Sequence, residues 1–251
     1  YQSEVLLINP TEKLAKGTIT FYNGAGERGP LGTRSDVLFY EIPPHSSRAI
    51  PSDGTGPNVL TGYAVVKANT GAIPYSAALI KHWSGDLWTH ENLVSGISGV
   101  NVQFAVDLRP TLIRHGEIDV QFVIVNPAEN GDTNVSLLLE ETELISERLL
   151  PGEQKIVSLK RAAKENIHGI VSFSSNHPLV MTALQSTLNI RSETIQMELP
   201  PISEAAYFPY VPNGGGLSTE FKLVNVSTQR VSGQLEFVTP AGEPATGTIL
   251  R

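Results

Sequence analysis

The chain has 251 residues, of which 40% are hydrophobic and 17% charged, and it contains 22 Gly and 17 Pro. This much apolar material argues against intrinsic disorder and can bury a sizeable core, while the formal net charge of −7 and the lack of basic runs argue against nucleic-acid binding. Because the chain has no Cys, disulfides, thiolate metal sites and cysteine catalysis are excluded, and no apolar stretch approaches the roughly 18 residues needed to span a membrane.

Short β-rich runs bounded by Asn, Pro and Gly predict strands along the chain. In chain order they include 5–8, 17–22, 120–125, 135–139 and 220–224. The best helical candidate, 159–167, is only a turn or two long and is closely followed by Gly169, so we expect it to be a connector. The sequence therefore predicts an all-β protein.

The same pattern occurs three times in the chain. In each copy an apolar strand ends in Asn and is followed by a turn and a second strand. These residues are Asn9, Asn126 and Asn225. Because an Asn side chain can hydrogen-bond the backbone two residues further on, we predict that they are architectural and do not bind a ligand. The first copy is longer through an excess in the Gly-rich loop at 26–32, which predicts a hairpin tip there.

The later segments of the first two copies also correspond. The matching pairs are 44–48 with 151–155, 62–66 with 169–173, and 74–79 with 178–184. One copy thus spans about 100 residues and six or seven strands, which is typical of an Ig-like β-sandwich. The sequence predicts tandem Ig-like β-sandwich domains, two nearly complete and one partial, with boundaries at 1–100, 101–202 and 203–251.

The third copy is incomplete, and two interpretations stay open. It begins near Phe208-Pro209 with a leading strand that the first copy lacks, and it contains about four strands. Either the chain is cut from a longer array, or the partial copy pairs with strands elsewhere. An isolated half-sandwich exposes a sheet edge, which favours pairing with another chain.

The third copy also carries a resemblance. From Phe208 it reads FPYVPNGGGLSTEFKLVNVSTQRVSGQLEFVTPAGEP, and most of the chain shares this pattern, although Val226 replaces the Pro that follows Asn in the other copies. The segment resembles repeats of large secreted or surface proteins of bacteria. This resemblance implies an extracellular or bacterial cell-surface location and a structural or adhesive role, and it transfers no catalytic residue. The start at Tyr1, without Met or a signal-peptide pattern, indicates a processed or excised fragment.

The sequence contains no complete catalytic motif. The segment Ser95-Gly96-Ile97-Ser98-Gly99-Val100 resembles a nucleophile elbow, but Val100 stands where the second Gly is required. The triplet 214–216 precedes a predicted strand instead of a helix, so it does not form a phosphate-binding loop. We therefore predict a protein that is not an enzyme and has no cofactor.

One cluster of residues is unusual in composition. Both Trp residues and two of the six His residues lie within 81–91, where Ser84-Gly85-Asp86 predicts a hairpin turn that brings Trp83 close to Trp88. The equivalent stretch of the second copy, 186–194, has no aromatic residue, so the fold does not require this composition. The candidate ligand-binding residues are His82, Trp83, Asp86, Trp88 and His90.

Three interpretations of this cluster stay open. The rings could stack on a sugar, with the polar side chains around them as hydrogen-bonding groups. A metal site could form from His82, His90 and either Asp86 or Glu91. The Trp pair could instead cover a sheet edge or pack on a neighbouring domain. We assign no metal ligand in the chain.

Two acidic segments have a simpler interpretation. Glu140, Glu141 and Glu143 predict a solvated hairpin, because nothing in the sequence indicates the cleft that paired catalytic carboxylates need. The segment 126–134 could hold calcium weakly, but it predicts a polar turn.

Taken together, the repeats predict a structural or assembly protein that serves as a stalk, a sheath, a filament subunit or an adhesin scaffold. Its expected partners are further copies of itself or neighbouring repeats of a longer chain, with glycans as another candidate. The alternative is a carbohydrate-binding or protein-binding module that uses the Trp83/Trp88 hairpin.

Overall fold

The computed structural model describes residues 2–53, 61–84, 87–108, 118–162, 167–188, 194–199, 225 and 229–232. Almost all regular structure in these segments is β-strand, so the all-β prediction is confirmed. The predicted connector at 159–167 contains one helical turn, α1 (Leu159–Ala162), while residues 163–166 and the predicted strand at 220–224 lie outside the described residues. No helix in the described segments is long and apolar enough to cross a membrane.

The chain divides into two compact units, Tyr1–Pro209 and Tyr210–Arg251. The described strands of the first unit fall into a first half, residues 2–94, and a second half, residues 97–199. The strands of the first half are β1 (Gln2–Asn9), β2 (Ala15–Asn23), β3 (Val37–Ile42), β4 (Ser46–Pro51), β5 (Gly62–Thr70), β6 (Tyr75–Ser84) and β7 (Leu87–Val94). Those of the second half are β8 (Ile97–Asp107), β9 (Ile118–Val125), β10 (Thr133–Leu139), β11 (Thr142–Leu149), β12 (Gln154–Ser158), β13 (His168–Leu188) and β14 (Thr194–Leu199).

The two halves repeat one scheme of antiparallel pairing. The first half forms two sheets, ordered β4-β1-β6-β7 and β3-β2-β5. The second half forms one curled, half-barrel sheet ordered β11-β10-β13-β9-β12, in which β8 and β14 also pair with β13. Strand β9 pairs with β12 and β13 as β1 pairs with β4 and β6, and β10 pairs with β11 and β13 as β2 pairs with β3 and β5. The repeat in the sequence therefore corresponds to a repeat in strand pairing.

Strand β13 is where the halves differ. It runs without a break for 21 residues, whereas the first half has two strands, β5 and β6, in the same place. Between β5 and β6 the chain turns at Gly71, whose φ of +80° favours glycine. At the corresponding position β13 contains Pro178. The pairing with β8 is interrupted there, between Ser174 and Leu179, but β13 itself continues. As a result, the strands that form two separate sheets in the first half correspond to strands of a single sheet in the second half.

Each half has a core of its own, and that of the second half is larger. Eighteen buried hydrophobic residues form the second core among the described residues, and six form the first. Alternate residues of β9 point inward, as a strand with one buried face requires. The second core is centred on the rings of Phe104, Phe122 and Phe173, whose centroids lie 4.8 to 6.3 Å apart. The sheets are thus held by apolar packing on their inner faces, which we define as the faces toward these cores.

The first repeated Asn, at the end of β1, is buried, and its side-chain amide is hydrogen-bonded at both the nitrogen and the oxygen. The side chain of Asn9 is 1% exposed. Its Nδ2 donates to the carbonyl oxygens of Lys13, at 2.8 Å, and of Ile42, at 3.0 Å. Its Oδ1 accepts from the backbone N–H of Thr11 at 3.1 Å, the bond two residues ahead that the sequence predicts. Asn9 therefore connects the turn after β1 to the last residue of β3.

The second and third Asn residues repeat this arrangement in part. Asn126 is 0% exposed, and its Nδ2 donates to Gly131 at 3.0 Å and to Leu149, the last residue of β11, at 3.2 Å. In the second unit, the Nδ2 of Asn225 donates to the carbonyl of Gln229 at 2.7 Å. The prediction that these residues are architectural is confirmed for the contacts described, since each amide binds backbone oxygens.

The acidic segments and the insertion lie where the sequence predicts. Residues 24–36 form a long loop between β2 and β3, whereas only residues 140–141 separate the equivalent strands β10 and β11. Glu140, Glu141 and Glu143 are exposed at this short hairpin. In the loop at 126–134, Asp132 pairs with Arg148 and Asn130 donates to Asn126 at 3.1 Å. Both segments are thus polar turns.

Candidate functional site

The predicted Trp hairpin is confirmed in the backbone. Strands β6 and β7 pair antiparallel, with Ser84 opposite Leu87 and Trp83 opposite Trp88. His82 lies opposite His90, and the register shifts between His82 and Trp83. The two Trp positions therefore face each other across the strands, as the Ser-Gly-Asp turn predicts.

The ligand-binding assignment itself stays a prediction. Gly85 and Asp86 lie outside the described residues, as do the side chains of 82–90, which include His82, Trp83, Trp88 and His90. Beside them, the Nζ of Lys81 lies 2.6 Å from Glu4 Oε1, and Glu91 is exposed. Among the described side chains there is no group of three that could hold a metal ion. The described part of the hairpin thus shows an ion pair and an antiparallel ladder.

A second candidate site joins the two halves, and its centre is a pair of tyrosines. Tyr22 in β2 and Tyr63 in β5 lie opposite each other, with their rings stacked at 5.0 Å and an interplanar angle of 11°. Their neighbours Phe21 and Ala64 are paired on the inner face, so the tyrosines lie on the outer face. From there the Oη of Tyr63 donates to the carbonyl oxygen of Gly152, between β11 and β12, at 2.8 Å.

Backbone groups complete this junction. The backbone N–H of Gln154 donates to Gly24 at 2.9 Å, and its side-chain Nε2 donates to Gly62 at 3.1 Å. Gly26 and Gly152 approach each other with φ values of +82° and +80°. A Cβ on Gly26 would lie only 2.6 Å from the carbonyl oxygen of Gly152, so only glycine fits there. The turn between β11 and β12 is therefore seated against the end of the β2–β5 ladder.

The electrostatics of the junction keep its phenol neutral. Burial raises the pKa of Tyr63, and the negative charges that Tyr22 and Glu129 can carry raise it further. A neutral phenol keeps the proton that it donates to Gly152. The junction contains hydrogen-bond donors, carbonyl acceptors and aromatic rings, which suits a contact between the two halves better than acid–base chemistry.

Sequence reasoning did not find this junction. Gly26 belongs to the loop that is longer in the first copy than in the second, and Gly152 belongs to the Pro-Gly turn of the second copy. Both were visible as turn residues. Their mutual contact was not, because the two residues are far apart in the chain.

A cavity in the second core is too small to be a ligand site. Its volume is about 10 Å³, enough for one water molecule at most. Its lining is apolar except for Glu147 and Lys155, which form an ion pair at 2.6 Å between β11 and β12. This ion pair connects β11 and β12, which stand at opposite ends of the strand order of the curled sheet, and it therefore belongs to the structure of the half-barrel.

Comparison of the chain with protein-family models, with curated proteins and with solved structures found no match.

Proposed function

We propose that this chain is a non-enzymatic structural or assembly protein made of tandem Ig-like β-sandwich repeats, 1–100, 101–202 and 203–251. The observation that carries the proposal is the repeated scheme of strand pairing, which occurs in two consecutive halves joined by the Tyr63–Gly152 contact. The proposed setting is the bacterial cell surface or the extracellular space, in a stalk, a sheath, a filament or the scaffold of an adhesin.

Such a role depends on strands and junctions and needs no reactive group. Antiparallel ladders resist separation because many backbone hydrogen bonds act together. A junction of stacked tyrosines and close glycines fixes one repeat against the next more firmly than a flexible linker would. Self-association would extend the same arrangement from repeats within a chain to repeats in neighbouring chains.

The test is the mass in solution across a concentration series, measured by light scattering after size exclusion. Self-assembly predicts species that grow beyond the 27.1 kDa monomer as the concentration rises. A monomer at every concentration would overturn self-association. Single-molecule pulling tests the tandem architecture separately, because independent repeats of about 100 residues would each release roughly 330 Å of chain, whereas one cooperative event would contradict them.

A second candidate function is binding of a glycan or a protein by the Trp hairpin. The observation that favours it is the register, which places Trp83 directly opposite Trp88. Replacing both with Ala should abolish binding in a glycan screen while the far-ultraviolet circular dichroism stays unchanged. Phe39→Ala is the control, because Phe39 is a 74% exposed aromatic residue on another strand. A screen in which the unmodified chain binds nothing would count against this function.

A further inference from the structure

The repeated pairing scheme leaves one strand position of the second half without a counterpart in the first. In the second half, the first part of β13 lies between β10 and β8. Its equivalent in the first half, β5, pairs with β2 on one edge. Among the described residues, no strand pairs with the other edge of β5.

In the second half, β8 covers part of the core. Its Phe104 lies opposite Val171, and its Val102 lies opposite Phe173. All four side chains are buried, with Val171 and Phe173 only 0% and 1% exposed. Strand β8 thus contributes alternate apolar residues to the inner face, in addition to its backbone hydrogen bonds.

The equivalent positions on β5 lack this cover. Ala64 and Val66 lie opposite Phe21 and Ile19 of β2, both of which are core residues, so they belong to the inner face. Nevertheless, Ala64 is exposed and Val66 is only partly buried. An inner-face position that is open to solvent, beside an edge with which no described strand pairs, is what an additional strand would fill.

We propose that the edge of β5 with which no described strand pairs is an acceptor site for an antiparallel strand that another polypeptide chain donates and that has the apolar alternation of β8. This deepens the proposed function, on which it rests, by naming the surface through which chains join. Strand β8 fills the equivalent position of the second half, so the proposed site repeats an interface that the molecule already contains. Such strand addition gains affinity from the backbone and specificity from alternate side chains.

The surroundings of β5 also set a preference for the donated strand. Opposite Ala64 the strand should carry a large apolar residue, because Ala64 is smaller than its equivalent Val171. Opposite Gly62 it should carry a small one. There Leu31 comes so close that a Cβ on Gly62 would lie 2.6 Å from its Cδ1, and Leu31 therefore occupies the space above this end of β5.

The test uses the full chain and a labelled synthetic peptide with the β8 sequence ISGVNVQFAVD, and binding is measured by fluorescence anisotropy. We expect saturable binding, tighter for a peptide with Val106→Ala, which relieves the contact with Leu31. Glu in place of Phe104 in the peptide should weaken binding at least tenfold. In the chain, Ala64→Glu should weaken binding as much, whereas Ala49→Glu, at an exposed outward position of β4, should not.

A second measurement does not depend on any variant. Hydrogen exchange should slow at amides of residues 62–70 when the peptide is added, and not at those of β13. Absent binding, binding that Ala64→Glu leaves unchanged, or protection confined to β13 would each overturn the proposal. Concentration-dependent growth in mass that persists in the Ala64→Glu chain would also overturn it, while leaving the proposed assembly function in place.

Discussion

Tyr63 and Gly152 are 89 positions apart in the chain, yet the phenol of one donates a 2.8 Å hydrogen bond to the backbone carbonyl of the other. The bond runs from the outer face of the first half to the turn between β11 and β12. Gly26 lies against the same Gly152 and excludes any Cβ from the contact. This contact between the two halves therefore involves a few atoms that can be changed one at a time.

The first prediction concerns the phenol. Tyr63→Phe removes the donor and leaves the Gly152 carbonyl without this partner, so the free energy of unfolding should fall by about 1 kcal/mol. Urea denaturation measures the loss. Tyr75→Phe is the matched control, since Tyr75 is 72% exposed and should show no change. Equal effects of the two substitutions would contradict a specific role of the Tyr63 bond.

The second prediction concerns the close glycines. Gly26→Ala forces an L side chain into a positive φ and into contact with the Gly152 backbone, which should cost at least about 2 kcal/mol. Gly29→Ala is the control, because a Cβ at Gly29 meets nothing within 4 Å. Thermal denaturation should show a lower Tm for the first variant only. If both variants melt together, the contact between the two glycines does not constrain the junction.

The third prediction concerns the repeated Asn. Asn126→Ala deprives the carbonyls of Gly131 and Leu149 of their donor in a buried site, so we expect a loss of about 3 kcal/mol. Asn134→Ala should be nearly neutral, because the side chain of Asn134 is exposed. Chemical denaturation of the two variants measures the difference. A loss below about 1 kcal/mol for Asn126→Ala would show that water replaces the amide.

The fourth prediction is a pH dependence at the alkaline end. Burial raises the pKa of Tyr63 and of Tyr40 above the ordinary 10.0, so both groups hold their protons more tightly in the folded state. Their contribution to stability is fully present below pH 10 and decreases as the pH rises through the folded pKa values. Urea midpoints between pH 9 and pH 12 should therefore fall, and they should fall less steeply in a variant with Phe at both positions. An identical slope would contradict the prediction.

Local chemistry explains which parts of the fold were predictable. The strand that ends at Asn9, the hairpin between β6 and β7 and the loop inserted at 24–36 follow from nearby residues, and the structure has all three. The unbroken course of β13 was not predictable, because a proline in the position of Pro178 usually ends a strand. Here the pairing of β13 with other strands before and after Pro178 keeps the strand intact. The Tyr63–Gly152 junction depends on distant segments meeting, so no local pattern indicates it.

Strand β13 also decides how the second half can come apart. At 21 residues it is about 70 Å long, and it forms ladders with β8, β9, β10 and β14. None of these ladders can open fully without disturbing the strand that the others share, so the second half should melt as one cooperative body. The first half is divided at Gly71, and its two sheets can loosen one after the other. We therefore expect the first half to loosen before the second under tension or heat.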